Sequence, residues 1–265
     1  MKTAYYLIRA SFDKEIRELI RYKFNTITNI LTLYFLFMAM FLGVRFFGNA
    51  MEVGTGLLDE SLESFVVGYF LWTIMYMAYQ DVAYSITRDS STGTLEQISM
   101  SSLGLETVLI TRSLASILIN TAMCFIVLFA IMNSTGYWLE GNILAVTVPI
   151  YLGVFSIMGI GMIFGGLAII FKRINAILNM VQYFLIALIF PTEIANEVIS
   201  NFIIPFRPSV ISVYGIILGK ISLVDLSLTD YLFMIANSLI YFSIGLFIFK
   251  GCIRVAKKKG LMGQY

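Results

Sequence analysis

Long apolar segments alternate with short polar ones along the chain, and this pattern predicts six membrane-spanning helices. A helix needs about 20 mainly apolar residues to cross the hydrocarbon of a bilayer. Segments of this kind lie at residues 26–44, 62–84, 107–133, 143–171, 176–190 and 231–249. The fifth of them is short for a bilayer. We therefore expect an all-α membrane protein, with residues 1–265 forming a single transmembrane domain.

The first 25 residues follow an amphipathic pattern instead. Phe12, Ile16 and Leu19 recur at helical spacing on one face. The opposite face carries charges, at Arg9, Asp13, Lys14, Arg17, Glu18 and Arg21. Asp13 with Arg17 and Lys14 with Glu18 are predicted i,i+4 ion pairs. A helix of this kind lies in the membrane interface rather than crossing the bilayer, so we expect an interfacial helix over residues 1–25.

Composition supports a membrane protein and excludes several kinds of chemistry. Hydrophobic residues make up 59% of the chain and charged residues 13%, whereas soluble domains are about 25% charged. The chain has no histidine, which excludes zinc sites built on histidine and Ser-His or Cys-His nucleophile pairs. Cys124 and Cys252 lie far apart in apolar surroundings and are expected to be small buried hydrophobes. A net charge of +2 suggests no nucleic-acid partner.

The distribution of basic residues predicts the orientation. Lys and Arg collect on the cytoplasmic side of membrane proteins. With six spans and both termini in the cytoplasm, fifteen of the eighteen Lys and Arg residues lie inside, and Arg45, Arg207 and Lys220 lie outside. We therefore expect a multi-pass protein of the cell membrane with cytoplasmic termini.

Two connections are more than simple turns. Residues 192–228 are moderately apolar but interrupted by Pro205 and Pro208, which predicts two short helices that meet near residues 204–208 and re-enter the outer leaflet. Residues 88–104, RDSSTGTLEQISMSSLG, predict a short cytosolic helix over residues 93–103 that begins at the Gly93 turn. Its membrane-facing positions are Leu95, Ile98 and Leu103, and its cytosolic positions are Thr94, Glu96, Gln97 and Ser101. An ordinary capped loop helix is the alternative.

The segment GTLEQ, residues 93–97, resembles the signature of the ABC-2 family of permeases, the membrane subunits of ATP-binding-cassette exporters of the daunorubicin-resistance type. The resemblance covers nearly the whole chain in the order of its features, including FGGLAIIFKRINAILNMVQYF across the fourth and fifth spans. It implies that residues 93–103 are a coupling helix that seats in a cleft of an ATPase subunit. The implied coupling positions are Gly93, Thr94, Leu95, Glu96, Gln97 and Ile98. Ser91 and Ser102 depart from the Glu and Pro that are common in the family.

Two further features lie in the fourth and second spans. In the fourth span, Gly161 and Gly165 form a small-xxx-small pair that predicts close helix packing, either static or as a sliding face. In the second span, Asp81 is either a snorkelling residue at the helix end or part of a charged gate.

The fifth span carries a polar stripe. Asn175, Asn179 and Gln182 fall at i, i+4 and i+7, and Tyr183 and Ile186 lie nearby. Polar residues are costly against lipid, so this face must meet protein or a cavity. It predicts either the inner wall of a substrate path at a subunit interface or interhelical hydrogen bonds that only hold the bundle together.

No nucleophile with a base, metal cluster or phosphate-binding Gly-Lys loop is evident, so we expect no enzymatic activity and no cofactor bound by this chain. The resemblance implies a separate cytosolic ATPase subunit that binds ATP and Mg, and a second permease chain, identical or related. With few buried charges, the expected cargo is hydrophobic or amphipathic, such as a drug, an antimicrobial peptide or a lipid-linked molecule. The alternatives are a glycan or glycolipid exporter of the same family, a self-contained secondary carrier, and a membrane-embedded immunity or sensor protein.

Overall fold

The computed structural model describes residues 2–50, 55–101, 103–139, 142, 144–171, 174–189, 197–219 and 221–259. Several predicted features touch positions outside these ranges: the start of the interfacial helix at Met1, the start of the fourth span at Ile143, the end of the fifth at Phe190, the start of the outer segment at Thr192, the departing motif position Ser102, and Lys220. The basic pair Lys172 and Arg173, used to orient the chain, lies outside them too.

The described residues form ten α-helices and no strand. They are α1 (Lys2–Arg21), α2 (Lys23–Ala50), α3 (Thr55–Ser91), α4 (Thr94–Ser99), α5 (Leu105–Thr135), α6 (Thr147–Phe171), α7 (Asn175–Phe184), α8 (Glu197–Ile203), α9 (Arg207–Ile217) and α10 (Leu228–Lys258). Helix α7 continues as a 3-10 helix over Leu185–Ile189. The second predicted span extends further than expected, because α3 continues to Ser91.

Five of the described helices are long and apolar enough to cross a membrane, which indicates an all-α, multi-pass membrane protein. They cover Lys23–Gly48, Ser61–Asp89, Leu105–Thr135, Thr147–Phe171 and Leu228–Lys258. The segment Asn175–Ile189 is apolar but shorter. Its 10 α-helical and 5 3-10 residues reach about 25 Å, against the roughly 30 Å of hydrocarbon. Six crossings therefore stay a prediction.

Helix α6 lies between α3 and α10 and is packed closely against both. Gly161 and Gly165 face α3, where added β-carbons would lie 2.9 Å from the Cβ of Val82 and 2.5 Å from the Cδ1 of Ile86. The close packing predicted for this pair is confirmed. Gly159 faces α10, where an added β-carbon would overlap the carbonyl oxygen of Tyr241. Glycines on two faces thus let two helices approach α6.

Helix α1 packs against α5 and ends at the turn before α2. One of its predicted ion pairs is present, with 3.6 Å between Lys14 Nζ and Glu18. The other was wrong, because Asp13 pairs with Arg9 across 3.9 Å rather than with Arg17. Both partners lie at i,i+4 spacing from Asp13, and spacing alone does not choose between them. Cys124 and Cys252 are free and buried, as expected.

Two short helices, α8 and α9, meet at residues 204–206, where the backbone leaves helical geometry and Phe206 adopts a φ of 66°. The side chain of Asn237 on α10 forms hydrogen bonds with the backbone groups that this break leaves without helical partners. Its oxygen accepts from the Phe206 N–H at 3.1 Å, and its nitrogen donates to the carbonyls of Asn201 at 2.7 Å and Ile204 at 2.9 Å. One buried amide therefore joins the break to a long helix.

Candidate functional site

The short helix α4 sits between the ends of α3 and α5. Gly93 and Gly104 stand on either side of it with φ of 73° and 74°, a region in which residues with a β-carbon are strained. The helix covers Thr94–Ser99, so it is shorter than the predicted 93–103, and Gly93 forms the turn before it. The chain leaves helical geometry after Ser99 and turns back toward α5.

Leu95 and Ile98 attach α4 to the bundle. Leu95 is fully buried, and Ile98 is half-buried against the same apolar core. Leu103, beyond the helix, is half-buried. Gln97 and Ser101 are exposed, as expected for positions that face away from the bundle, and the side chain of Glu96 is outside the described part of the chain. The apolar side of α4 therefore anchors it.

The prediction that Thr94 faces solvent was wrong. Thr94 is half-buried, and its hydroxyl lies 3.2 Å from the backbone oxygen of Asp89 and 3.3 Å from the Asp89 carboxylate. The other carboxylate oxygen accepts a hydrogen bond from Arg112 on α5 at 2.9 Å. Asp89 is only 6% exposed, so this ion pair is largely shielded from solvent. It joins the end of α3 to α5 and holds the first residue of α4.

The polar stripe of α7 meets α3. The Asn179 side-chain oxygen accepts from the hydroxyl of Tyr84, and the Gln182 oxygen accepts from the Gln80 amide at 3.3 Å. The backbone oxygen of Gln182 accepts from the indole N–H of Trp72 at 3.4 Å. Interhelical hydrogen bonding by Asn179 and Gln182 is therefore observed, while Asn175 is exposed.

Two cavities lie along this seam of α2, α3 and α7. The polar cavity, about 590 Å³, is nearer to α4 and is lined by Asn29, Thr32, Gln80, Asp81, Tyr84 and Asn175, among others. The aromatic cavity, about 740 Å³, is lined by Phe65, Tyr69, Trp72, Tyr183, Ile186 and Tyr214, among others. The rings of Trp72 and Tyr76, which border the aromatic and the polar cavity respectively, stack with 5.3 Å between centroids. Three residues predicted for the path thus border a cavity: Asn175, Tyr183 and Ile186.

Asp81 is not at a helix end. It lies ten residues before the last residue of α3 and within the candidate span Ser61–Asp89, so its predicted position at a helix end was wrong, while a snorkelling or a gating role stays a prediction. The error arose because α3 continues beyond the predicted boundary at residue 84. One Asp81 oxygen accepts from the hydroxyl of Ser116 on α5 at 2.7 Å. The carboxylate borders the polar cavity.

A third, small cavity of about 190 Å³ adjoins Asp81 and is lined by charged residues of α1, α3 and α5. Glu18 of α1 forms ion pairs with two cations, with 3.6 Å to Lys14 and 3.8 Å to Arg88. Burial raises the pKa of the neighbouring Glu15 carboxyl above its ordinary value. Helix α1 is therefore linked electrostatically to the end of α3 that carries α4.

The sequence pattern predicted neither the Asp89–Arg112 pair nor the contacts of Trp72 with Gln182 and Tyr76. A charged residue within or next to an apolar span was the available signal for Asp89 and Arg112. Nothing in the local pattern indicated that these two would meet, since they are 23 positions apart. Within the described ranges, no three His, Cys, Asp or Glu side chains come together to hold a metal ion. A scan against protein-family models and a search of curated proteins both returned no match for the chain.

Proposed function

We propose that the chain is the membrane permease subunit of an ATP-driven exporter of the ABC-2 kind. The observation that carries the proposal is α4: a short helix with glycine turns on both sides, anchored by the buried Leu95 and joined through Asp89 to both long helices beside it. A helix held in this way transmits force from a bound partner to α3 and α5 rather than bending independently. Gln97 and Met100 are exposed at this end for such a partner.

In the proposed mechanism, two permease chains, identical or related, enclose a path, and two cytosolic ATPase subunits each hold one α4. ATP binding draws the ATPases together and moves α4, and the Asp89–Arg112 pair passes this movement to α3 and α5. The energy comes from the different affinity of the ATPases for nucleotide in the two states. The two cavities lie along α3, so its movement would change their shape.

The cargo in this proposal is hydrophobic or amphipathic. The aromatic cavity offers mainly apolar side chains, and the polar cavity beside it offers amides and hydroxyls. Both volumes fall within the roughly 300–1,000 Å³ typical of small-molecule sites.

The ATPase partnership is tested by copurification from the native membrane in mild detergent. We expect a subunit with Walker motifs and ATPase activity to copurify with the wild-type chain. Leu95→Asp should reduce the amount of this subunit about tenfold, because a carboxylate cannot occupy the buried anchor position and α4 leaves its seat.

Val224→Asp is the matched control, because it makes a similar change at a side chain that is 90% exposed before α10, at the opposite end of the bundle. It should leave the copurified amount unchanged. Transport by the purified chain alone in proteoliposomes without ATP would contradict the proposal and favour a secondary carrier.

The six-span arrangement has its own test. Single cysteines are introduced at Ser90, near the end of α3, and at Lys258, at the end of α10, in a background without Cys124 and Cys252. Both should react with an impermeant maleimide only from the cytoplasmic side, because four crossings then lie between them. Reaction from opposite sides would show that Asn175–Ile189 does not cross the membrane.

A further inference from the structure

The charges around the polar cavity and the small cavity beside it do not balance. Among the described residues, each basic side chain that lines them is already close to an acid: Lys14 and Arg88 lie within 4 Å of Glu18, and Arg112 lies 2.9 Å from Asp89. Within the described residues, no Lys or Arg nitrogen lies within 4.0 Å of the Asp81 carboxylate. Lys14 and Arg112 act on Asp81 only from beyond ion-pair distance, and both are paired with other acids.

The position of Asp81 makes this absence costly. It is half-buried in a helix apolar enough to span the membrane, about 12 Å along α3 from the ion-paired Asp89. A charged residue at such a position is expensive and usually serves a function. One Asp81 oxygen accepts a single hydrogen bond, from the Ser116 hydroxyl, and the carboxylate borders open space in the polar cavity. A positive charge placed in that cavity would meet the carboxylate directly.

The neighbouring aromatic cavity fits the other part of such a molecule. The stacked rings of Trp72 and Tyr76 lie at the boundary between the two cavities, so a ligand that occupies both would run along these rings from Asp81 to Trp72. Aromatic ring faces accept both apolar groups and nearby cations. The other walls of the aromatic cavity are apolar residues and the hydroxyl-bearing residues Ser61, Ser64, Tyr69, Tyr183 and Tyr214.

We infer that the two cavities together bind an organic amphiphile with one positive charge, whose cationic group pairs with Asp81 and whose apolar part occupies the aromatic cavity. The inference rests on the proposed function only in regarding this molecule as the cargo. Binding itself requires no ATPase, so it is measured on the purified chain alone, and the outcome is independent of the copurification experiment.

The test uses two fluorescent probes that share the dansyl group and the alkyl chain: dansylcadaverine, an amine that is protonated at neutral pH, and its N-acetyl derivative, which is neutral and larger by one acetyl group. The dansyl emission reports binding to the purified chain in lipid nanodiscs. We expect the wild-type chain to bind the amine about tenfold more tightly than the acetylated probe, a difference typical of one charge-assisted contact. Equal affinities would overturn the inference even without a variant.

Three variants locate the preference. Asp81→Asn should weaken binding of the amine to the level of the acetylated probe and leave the acetylated probe unchanged, while Asp81→Glu should keep the preference. Trp72→Ala should weaken both probes, because each loses the indole ring against which its apolar part packs, and the amine should still bind more tightly than the acetylated probe. Glu106→Gln is the control. The Glu106 carboxylate lies 2.8 Å from the Nζ of Lys250 on α10, and Glu106 lines neither cavity.

An inorganic cation is the alternative ligand for Asp81, and the same assay separates it. Binding is measured at constant ionic strength in sodium, potassium and N-methylglucamine salts. The amine preference should be the same in all three. A preference that changes with the inorganic cation, or that survives in Asp81→Asn, would contradict the inference.

Discussion

Helix α3 packs against α6 on one side and borders the two cavities on the other. At the contact with α6, Gly161 and Gly165 leave no room for a further carbon beside Val82 and Ile86. Toward α2 and α7, large side chains such as Trp72 and Tyr76 leave two cavities of about 590 and 740 Å³. The side toward α6 is apolar, whereas the side toward α2 and α7 also carries polar groups such as Gln80 and Asp81.

This difference indicates which helix contacts of the bundle are rigid and which can change shape. Small residues let helices approach closely, and close-packed interfaces tolerate little change in volume. Long and aromatic side chains keep helices apart, and amides such as Gln80 and Gln182 bridge the gap with hydrogen bonds. The contacts of α6 form the scaffold, and the seam of α2, α3 and α7 forms the adaptable region.

The largest effect is expected at the contact between α6 and α10. Gly159→Ala places a methyl group against the backbone of Tyr241, which cannot rotate away, so the helices must separate. We expect a loss of at least about 3 kcal/mol of stability, the upper end of the usual cost of overpacking. The measurement is the melting temperature of the detergent-purified protein by fluorescence-detected size-exclusion chromatography.

Gly251→Ala is the matched control. Gly251 lies in α10, the helix that Gly159 contacts, and no atom lies within 4 Å of a β-carbon added to it. Its melting temperature should be unchanged or slightly raised, since alanine favours helix over glycine. Equal losses in the two variants would show that the contact with Tyr241 is not a close one.

Asn237→Leu is the second test of the scaffold. The substitution leaves the Phe206 N–H and the carbonyls of Asn201 and Ile204 without their side-chain partner at the break between α8 and α9. We expect a loss of about 2–3 kcal/mol, because unsatisfied buried groups keep their desolvation cost. The same melting assay measures it. Asn133→Leu, at an exposed position near the end of α5, should change little.

Gly68→Ala places the same methyl group beside the aromatic cavity. An added β-carbon would lie 2.8 Å from the Tyr214 hydroxyl oxygen and 3.3 Å from Ile189 Cδ1, and both atoms are at the ends of side chains. Both side chains also border the cavity and have space to move. We expect a loss below about 1 kcal/mol. A loss as large as that of Gly159→Ala would contradict the division between a rigid and an adaptable side.

The smallest effect on stability is expected for Gln182→Leu. The hydrogen bond to Gln80 is worth about 0.6 kcal/mol if it behaves like others between membrane helices. If the seam carries cargo, the informative quantity is the ratio of ATP-driven transport of a cationic and a neutral dye in inverted vesicles, which should change. Met180→Leu, at an exposed position of α7, should leave the ratio unchanged. An unchanged ratio in Gln182→Leu with a lower melting temperature would show that the polar stripe of α7 only holds the helices together.

Several elements were predictable because their causes are local. Apolar runs of sufficient length predicted the long helices, the alternating faces of residues 1–25 predicted α1, and the glycine before residues 94–99 predicted the turn that begins α4. Gly161 and Gly165, four positions apart, predicted one close contact of α6. Boundaries were less accurate, as α3 extends to Ser91 and α4 is only six residues long.

The amino-acid sequence by itself determined that the chain is helical and suited to a membrane, since backbone groups in hydrocarbon must be satisfied within each helix and apolar length decides which segments can enter. Only the tertiary structure decided which polar groups meet. Asp89 pairs with Arg112, and Gln80 bonds Gln182 across 102 positions of the chain. It also placed Asp81 beside a cavity, with no Lys or Arg nitrogen of the described residues within 4.0 Å of its carboxylate. Helical periodicity specifies a face and not the neighbour of that face, because the neighbour depends on how all the helices pack together.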